Sequence, residues 1–200
     1  MYRFFLAAVD VIPAAVILVP FFLILSLTVY RRNWKKCVFY CLFSLYMATV
    51  FSLVGIPNVT YVRFELNLNL IPFVGIAGDF KNSCLNVLLF IPMGFFLPVL
   101  WRKFRRAGAA ILFGTMMSLV IELLQIFTFR ATDVNDLLTN GLGTFLGWKL
   151  AACLIRKAPA VRNMANHNRV GELYALLLIT FAIMFFVHPY LSAAIWDRLL

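Results

Sequence analysis

The chain has 200 residues and a mass of 22.8 kDa, and 64% of its residues are hydrophobic whereas only 13% are charged. Soluble domains are about 45–50% apolar and about 25% charged, so this composition excludes a water-soluble globule of this size. The formal net charge of +10 would suggest a nucleic-acid partner in a soluble protein, but here it must be interpreted from where the basic residues lie.

Apolar runs long enough to cross a bilayer recur along the chain. A hydrocarbon core of ~30 Å needs about 20 apolar residues in a helix. The sequence therefore predicts an all-α polytopic membrane protein, a bundle of about six transmembrane helices. The predicted spans are 11–30, 37–56, 83–101, 109–128, 134–155 and 172–190.

The loop 57–82, between the second and third predicted spans, has a different pattern. Apolar and polar side chains alternate strictly from Val62 to Leu70. A period of two is typical of a half-buried strand, so we predict a short extended or β segment at the membrane surface. An interfacial loop without a strand partner is the alternative, and the pattern does not say what the strand would pair with.

The basic residues predict the orientation of the helices. Thirteen of the 18 lysines and arginines lie in or beside the loops 31–36, 102–106 and 156–169, and five lie towards the opposite side. Because lysine and arginine concentrate in cytoplasmic loops, we predict that these loops are inside and that both termini are outside. The net charge then reflects membrane topology, and no nucleic-acid partner is needed.

Cysteine and histidine usage excludes several kinds of site. Cys37 and Cys41 are one helical turn apart, Cys84 and Cys153 are isolated, and no C-x-x-C pair occurs, which excludes a secreted disulfide scaffold. Two histidines are too few for a histidine-rich metal site. Glycine-rich phosphate loops and the G-x-S-x-G and H-E-x-x-H motifs are lacking too, so we predict no metal and no cofactor.

Polar side chains inside the predicted spans form stripes at helical spacing. Ionisable groups at membrane depth are costly and are functional candidates by default. The turn between the fourth and fifth spans is short, so these helices must be antiparallel neighbours, and Glu122 and Asn140 then lie at about the same depth. The sequence thus predicts a polar pocket that opens to the outer face. Its predicted ligand-binding residues are Asn86, Glu122, Gln125, Arg130, Asp133, Asp136 and Asn140.

Some of these residues also have a purely structural interpretation. Amide, hydroxyl and carboxyl groups hold helices together through interhelical hydrogen bonds, and we favour this role for Ser118. Asp133 stands at a helix start, where it is a natural N-cap. Gly143 and Gly147 form a small-xxx-small pair that lets another helix backbone approach closely.

Three functional hypotheses fit the pocket. The first is a non-enzymatic protein that binds an envelope ligand or lipid headgroup. The second is an intramembrane enzyme in which Glu122 and Asp136 are the candidate catalytic acid and base on a lipid-linked precursor. The third is proton- or cation-coupled transport, although the almost wholly apolar inner half of the bundle offers no evident path.

The pocket residues also carry a resemblance. The segments 67–73 and 86–94, the series Ser118, Glu122 and Gln125, and the segment 130–147 resemble the ordered motifs of the VanZ-like family of bacterial membrane proteins. The resemblance divides the chain into an extra N-terminal helix and basic inner loop (1–36), a VanZ-like helical core (37–155), and a basic loop with the last helix (156–200).

The resemblance implies a protein of the bacterial cytoplasmic membrane that lowers susceptibility to teicoplanin and related lipophilic glycopeptides. The expected partners are therefore a membrane lipid or lipid-linked envelope precursor and the glycopeptide antibiotic itself.

Overall fold

Helices make up most of the chain. The computed structural model describes residues 2–29, 34–64, 68–69, 71, 80–128, 132–164 and 170–199. The helices are α1 (Tyr2–Thr28), α2 (Trp34–Val54), α3 (Phe80–Leu100), α4 (Ala107–Gln125), α5 (Val134–Lys157), α6 (Pro159–Met164), α7 (Val170–Ala182) and α8 (His188–Leu199). A 3-10 turn (Arg102–Arg105) precedes α4, a π-helical turn (Ile183–Val187) joins α7 to α8, and the two short strands are β1 (Leu68–Asn69) and β2 (Thr132–Asp133).

Within the described residues, five helical segments are long and apolar enough to cross a membrane. They are Val11–Thr28, Trp34–Val54, Phe80–Leu100, Ala107–Gln125 and Val170–Asp197. The sixth predicted span is α5, which has the length, at 24 residues, but whose polar N-terminal half lowers its mean hydropathy. The predicted fold class, an all-α polytopic membrane protein with a short extended segment, is confirmed.

The chain divides into two compact units. Unit 1 comprises 1–63 and 171–200, and unit 2 comprises 64–170. In unit 1, α1 packs along α2 and also contacts α8. Lys36 of α2 forms an ion pair with Glu172 of α7 at 2.9 Å, and the Tyr40 hydroxyl donates to the same carboxyl oxygen. These polar contacts join α2 to α7 at one end of the unit.

A proline follows the π-helical turn of unit 1 and leaves a carbonyl group of that turn without its α-helical donor. Pro189 has no N–H, so the carbonyl of Phe185, four residues earlier, lacks its α-helical donor. The backbone N–H of Val59 donates to this carbonyl at 3.0 Å. This hydrogen bond joins the loop that follows α2 to the segment between α7 and α8. It uses the Phe185 carbonyl, which Pro189 leaves without its α-helical donor.

In unit 2, α5 packs closely along α3 and runs parallel to it. A Cβ atom added at Gly143 would lie 2.3 Å from the carbonyl oxygen of Val87, and one at Gly147 would lie 1.9 Å from that of Ile91. No real Cβ atom tolerates such contacts, so only glycine permits this distance between the two backbones. The close approach predicted for the glycine pair is confirmed, with α3 as the partner helix.

The α4–α5 pair is antiparallel, as the short connection predicts. The side chain of Asn140 donates from Nδ2 to Ser118 Oγ at 2.8 Å, which joins the two helices. Nearer the other end, a Cβ atom at Gly114 would lie 2.2 Å from Thr144 Oγ1. Since residue numbers fall along α4 as they rise along α5, the order of these contacts fixes the antiparallel register.

Among the described residues of the predicted strand, regular β-structure is found at Leu68 and Asn69. Residues 62–64 have no regular structure, and 65–67 and 70 lie outside the described residues. Leu68 and Asn69 form β1, which pairs in parallel with Thr132 and Asp133 of β2. The pairing cannot continue beyond Asp133, because α5 begins at 134 and a strand extends only as far as its hydrogen-bonding partner.

Candidate functional site

Glu122 lies at the junction of α4, β2 and α5. Its side chain is buried, with 2% exposed surface. Its Oε2 atom accepts a hydrogen bond from the backbone N–H of Asp133 at 3.0 Å, and its backbone carbonyl accepts one from Thr132 Oγ1 at 3.1 Å. The last turn of α4 is therefore bound to both residues of β2, immediately before α5 begins.

Asp133 connects three segments. Its Oδ1 atom accepts from the backbone N–H of Asn135 at 2.8 Å, which makes it the N-cap of α5. Its Oδ2 atom accepts from Asn69 Nδ2 at 3.0 Å. The N-cap role predicted for Asp133 is confirmed. Its second carboxyl oxygen, Oδ2, holds β1 against the start of α5.

A second polar contact lies deeper between α4 and α5. Asn140 is buried, and Thr144 Oγ1 donates to its backbone carbonyl at 2.9 Å. Its Nδ2 atom donates to Ser118, whereas its buried Oδ1 atom has no hydrogen-bond partner among the described residues. The Asn140–Ser118 bond is the interhelical contact that the structural interpretation predicts.

The depth order of these residues differs from the sequence-based expectation. The sequence predicts Glu122 and Asn140 at about the same depth, but Asn140 bonds to Ser118, one helical turn further into the bundle than Glu122. The reason is that α4 ends at Gln125, three residues earlier than the predicted 128, so Glu122 is closer to the helix end. Glu122 is one turn beyond Ser118 in α4, and Asp136 is one turn before Asn140 in α5. Because the two helices are antiparallel, Glu122 and Asp136 lie at the same level.

The remaining predicted site residues lie around this junction. Asp136 is half-buried in the first turn of α5. Gln125 is a buried residue at the end of α4, and its backbone carbonyl accepts from Thr128 Oγ1 at 3.0 Å. Asn86 of α3 is half-buried and directly precedes Val87, the residue that faces Gly143. Asn86 therefore lies further from the start of α5 than Asn140 does, at a level near the middle of that helix. Arg130 lies outside the described residues.

Two residues of the junction were not among the predicted site residues. Asn69 belongs to the alternating segment and to the segment 67–73 that carries the family resemblance, but neither pattern marks it as a ligand-binding residue. Thr132 directly precedes the N-cap, and its side chain carries no signal of its own. Alternation predicts a strand without its partner, so neither residue could be assigned to the site before the β1–β2 pairing was known.

Together these residues form a polar junction, which we define as Glu122, Thr132, Asp133, Asn69 and Asp136. Two of its carboxyl groups accept hydrogen bonds from neighbouring segments, and Asp136 adds a third carboxyl one turn along α5. Carboxyl and amide oxygens in this arrangement can accept hydrogen bonds from the ammonium or hydroxyl groups of a ligand.

The fold and this junction define a class, namely helical integral membrane proteins with a buried carboxyl group where a spanning helix meets its neighbour. The chain belongs to the VanZ/LLP1 family, whose model matches residues 37–156. This segment runs from α2 through α5 and contains Glu122, Asp133, Asp136 and Asn140.

A curated relative gives the same assignment. The chain is 32% identical over 155 residues to Protein VanZ of Enterococcus faecium, and the alignment covers 74% of this chain and 91% of that protein. No solved structure matches the chain.

Proposed function

We propose that this protein lowers susceptibility to teicoplanin and related lipophilic glycopeptides by binding an envelope ligand or lipid headgroup at the polar junction. In this proposal it lies in the bacterial cytoplasmic membrane with the junction facing outward. Membership of the VanZ/LLP1 family and the similarity to Protein VanZ support it. The observation that carries it is the buried Glu122 carboxyl group, held in a spanning helix and bonded to the start of α5.

The junction has the chemistry for such a ligand. A carboxyl group inside a membrane span is costly to keep, and helix association by itself does not require three carboxyl groups so close together. Glu122, Asp133 and Asp136 would accept hydrogen bonds from an ammonium or hydroxyl group. Arg130 would contact an anionic group of the same ligand, and the segment around β1 would form the rim.

The test compares the wild type with Glu122→Gln and Asp136→Asn in a susceptible Gram-positive host at matched membrane levels. The glutamine in E122Q retains a carbonyl oxygen that can accept the Asp133 N–H, so this variant removes the carboxyl chemistry and keeps the structural bond. The matched control is Asp197→Asn, the same kind of change at an exposed residue of α8. Growth inhibition by teicoplanin and by vancomycin is measured side by side.

We expect the wild type and D197N to protect selectively against teicoplanin, and E122Q and D136N to lose most of that protection. Equal protection by all four proteins would mean that the carboxyl groups only hold the helices together. Lack of protection by the wild type would overturn the proposed resistance function itself.

A second candidate function is acid–base catalysis on a lipid-linked envelope precursor. It is favoured by the placement of Glu122 level with Asp136 on adjacent helices, in different environments, one buried and one half-buried. Carboxyl groups in unlike environments are the usual arrangement for a general acid and a general base. Membrane vesicles that contain the protein would be incubated with a labelled lipid-linked precursor. Product that forms with the wild type and with neither E122Q nor D136N would favour the enzyme.

A further inference from the structure

The end of unit 2 opposite the polar junction is strongly basic. The 3-10 turn before α4, the last turns of α5 and the short α6 meet there, and α6 contacts both α3 and α5. We call this set the basic cluster. Its members are Arg102, Lys103, Arg105, Arg106, Lys149, Arg156, Lys157 and Arg162.

No acidic side chain balances these charges within the described part of unit 2. The acidic residues described there are Glu122, Asp133 and Asp136, which lie at the far ends of α4 and α5. In unit 1, by contrast, Lys36 is paired with Glu172 at 2.9 Å. Within the described residues of unit 2, the basic cluster therefore carries positive charge that no acidic side chain offsets.

Arg105 is the centre of the basic cluster. Its Nη2 atom donates to the backbone carbonyl of Arg162, and its own carbonyl accepts from Trp148 Nε1 at 3.2 Å, so the turn is held against both α5 and α6. Its Nε atom is buried and has no hydrogen-bond partner among the described residues. Burial, with the nearby positive charges of Arg102 and Arg162, lowers the pKa of the Arg105 guanidinium.

We propose that the basic cluster binds the phosphodiester headgroup of an anionic phospholipid, with Arg102, Arg105 and Arg162 as its main contacts. Guanidinium groups bind phosphate oxygens through paired hydrogen bonds, and a phosphate would offset the mutual repulsion of the three arginines. The location favours a lipid, because α3 and α4 are membrane spans and the cluster lies at their ends, where headgroups lie.

The experiment uses the full chain purified in a neutral detergent, with bound lipid measured by native mass spectrometry. Phosphatidylglycerol and phosphatidylcholine are added at equal concentrations to the wild type, Arg102→Gln, Arg162→Gln and Lys35→Gln. Arg102 and Arg162 are exposed, so their replacement should not impair folding, and exposed Lys35 of α2 provides the same charge change in unit 1. Inorganic phosphate is added in excess as a competitor.

The wild type should bind phosphatidylglycerol in preference to phosphatidylcholine. Each arginine variant should bind it about fivefold more weakly, because one basic residue near an anionic lipid contributes about that factor, and K35Q should match the wild type. Equal binding by all four proteins, or equal binding of both lipids, would overturn the proposal. Displacement of the lipid by inorganic phosphate would also overturn it, since the cluster would then recognise free phosphate.

Discussion

Asp133 shows how one side chain combines local and long-range roles. Its Oδ1 atom caps α5 through the Asn135 N–H, and its Oδ2 atom accepts from Asn69, 64 residues away in the sequence. Its own N–H donates to Glu122. One residue thus connects the end of α4, the start of α5 and β1, so its replacement tests whether the polar junction is held by hydrogen bonds or by charge.

Asp133→Ala should lower the stability of the protein by about 1 kcal/mol or more, because the helix loses its N-cap and Asn69 loses its acceptor. Asp133→Asn should lose less stability, since its carbonyl oxygen can still cap the helix and its NH2 group, in the place of Oδ2, can donate to the Asn69 carbonyl oxygen once the Asn69 amide turns over. Thermal unfolding of the purified protein in detergent measures both effects. Equal destabilisation by the two variants would mean that the negative charge, and not the cap, stabilises this site.

At the scale of the elements, glycine determines which helices pack together in unit 2. The carbonyl oxygens of Val87 and Ile91 occupy the space where side chains would stand at Gly143 and Gly147. Helices in a membrane gain little from the hydrophobic effect, so close backbone packing of this kind supplies much of their association. The parallel α3–α5 pair in turn positions α5, whose first turn carries Asp133 and Asp136.

Gly147→Ala should therefore destabilise unit 2 by about 1–3 kcal/mol or more, because its Cβ would lie 1.9 Å from a backbone oxygen that cannot move freely. Gly108→Ala is the matched control, since nothing lies within 4 Å of a Cβ at that position in α4. Melting temperatures in the same detergent compare the two variants. A G147A protein as stable as G108A would show that α3 and α5 do not need this close approach.

At the scale of the whole molecule, opposite ends of unit 2 carry opposite charge. The polar junction, with its three carboxyl groups, and the basic cluster lie at opposite ends of α4 and α5. This polarity agrees with the excess of basic residues in the loops 31–36, 102–106 and 156–169. The predicted orientation, with these loops in the cytoplasm, follows from that excess.

A reporter enzyme active only outside the cytoplasm should be active when fused after Leu200 and inactive when fused after Arg106. The positive-inside rule predicts this result, because the second fusion site follows four basic residues within 102–106. Enzyme activity on intact cells, normalised to the amount of fusion protein, is the measurement. The reverse pattern would invert the topology and would place the polar junction on the cytoplasmic side, against the proposed function.

Several features could be predicted from the sequence because they depend on local or one-dimensional properties. Hydropathy identified the spanning helices, and the short connection made α4 and α5 antiparallel neighbours. The N-cap role of Asp133 and the close approach at Gly143 and Gly147 follow from residue type and spacing alone. The domain boundaries and the assignment of the site residues to ligand binding stay predictions.

Tertiary structure decided which partners these local features meet. The spacing of Gly143 and Gly147 predicts close contact with another helix, but the sequence does not say which one. The tertiary packing shows that this helix is α3. Alternation predicts a strand, but only the fold pairs Leu68 and Asn69 with β2. Glu122 accepts a hydrogen bond from the amide of Asp133, a residue beyond the end of α4 that only the folding back of the chain brings close to it. The sequence determined the helices and their polar faces, since both arise from neighbours in the chain. The contact partners of these helices and side chains could be identified only from the fold, because the hydrogen bonds and close contacts join residues that are far apart in the sequence.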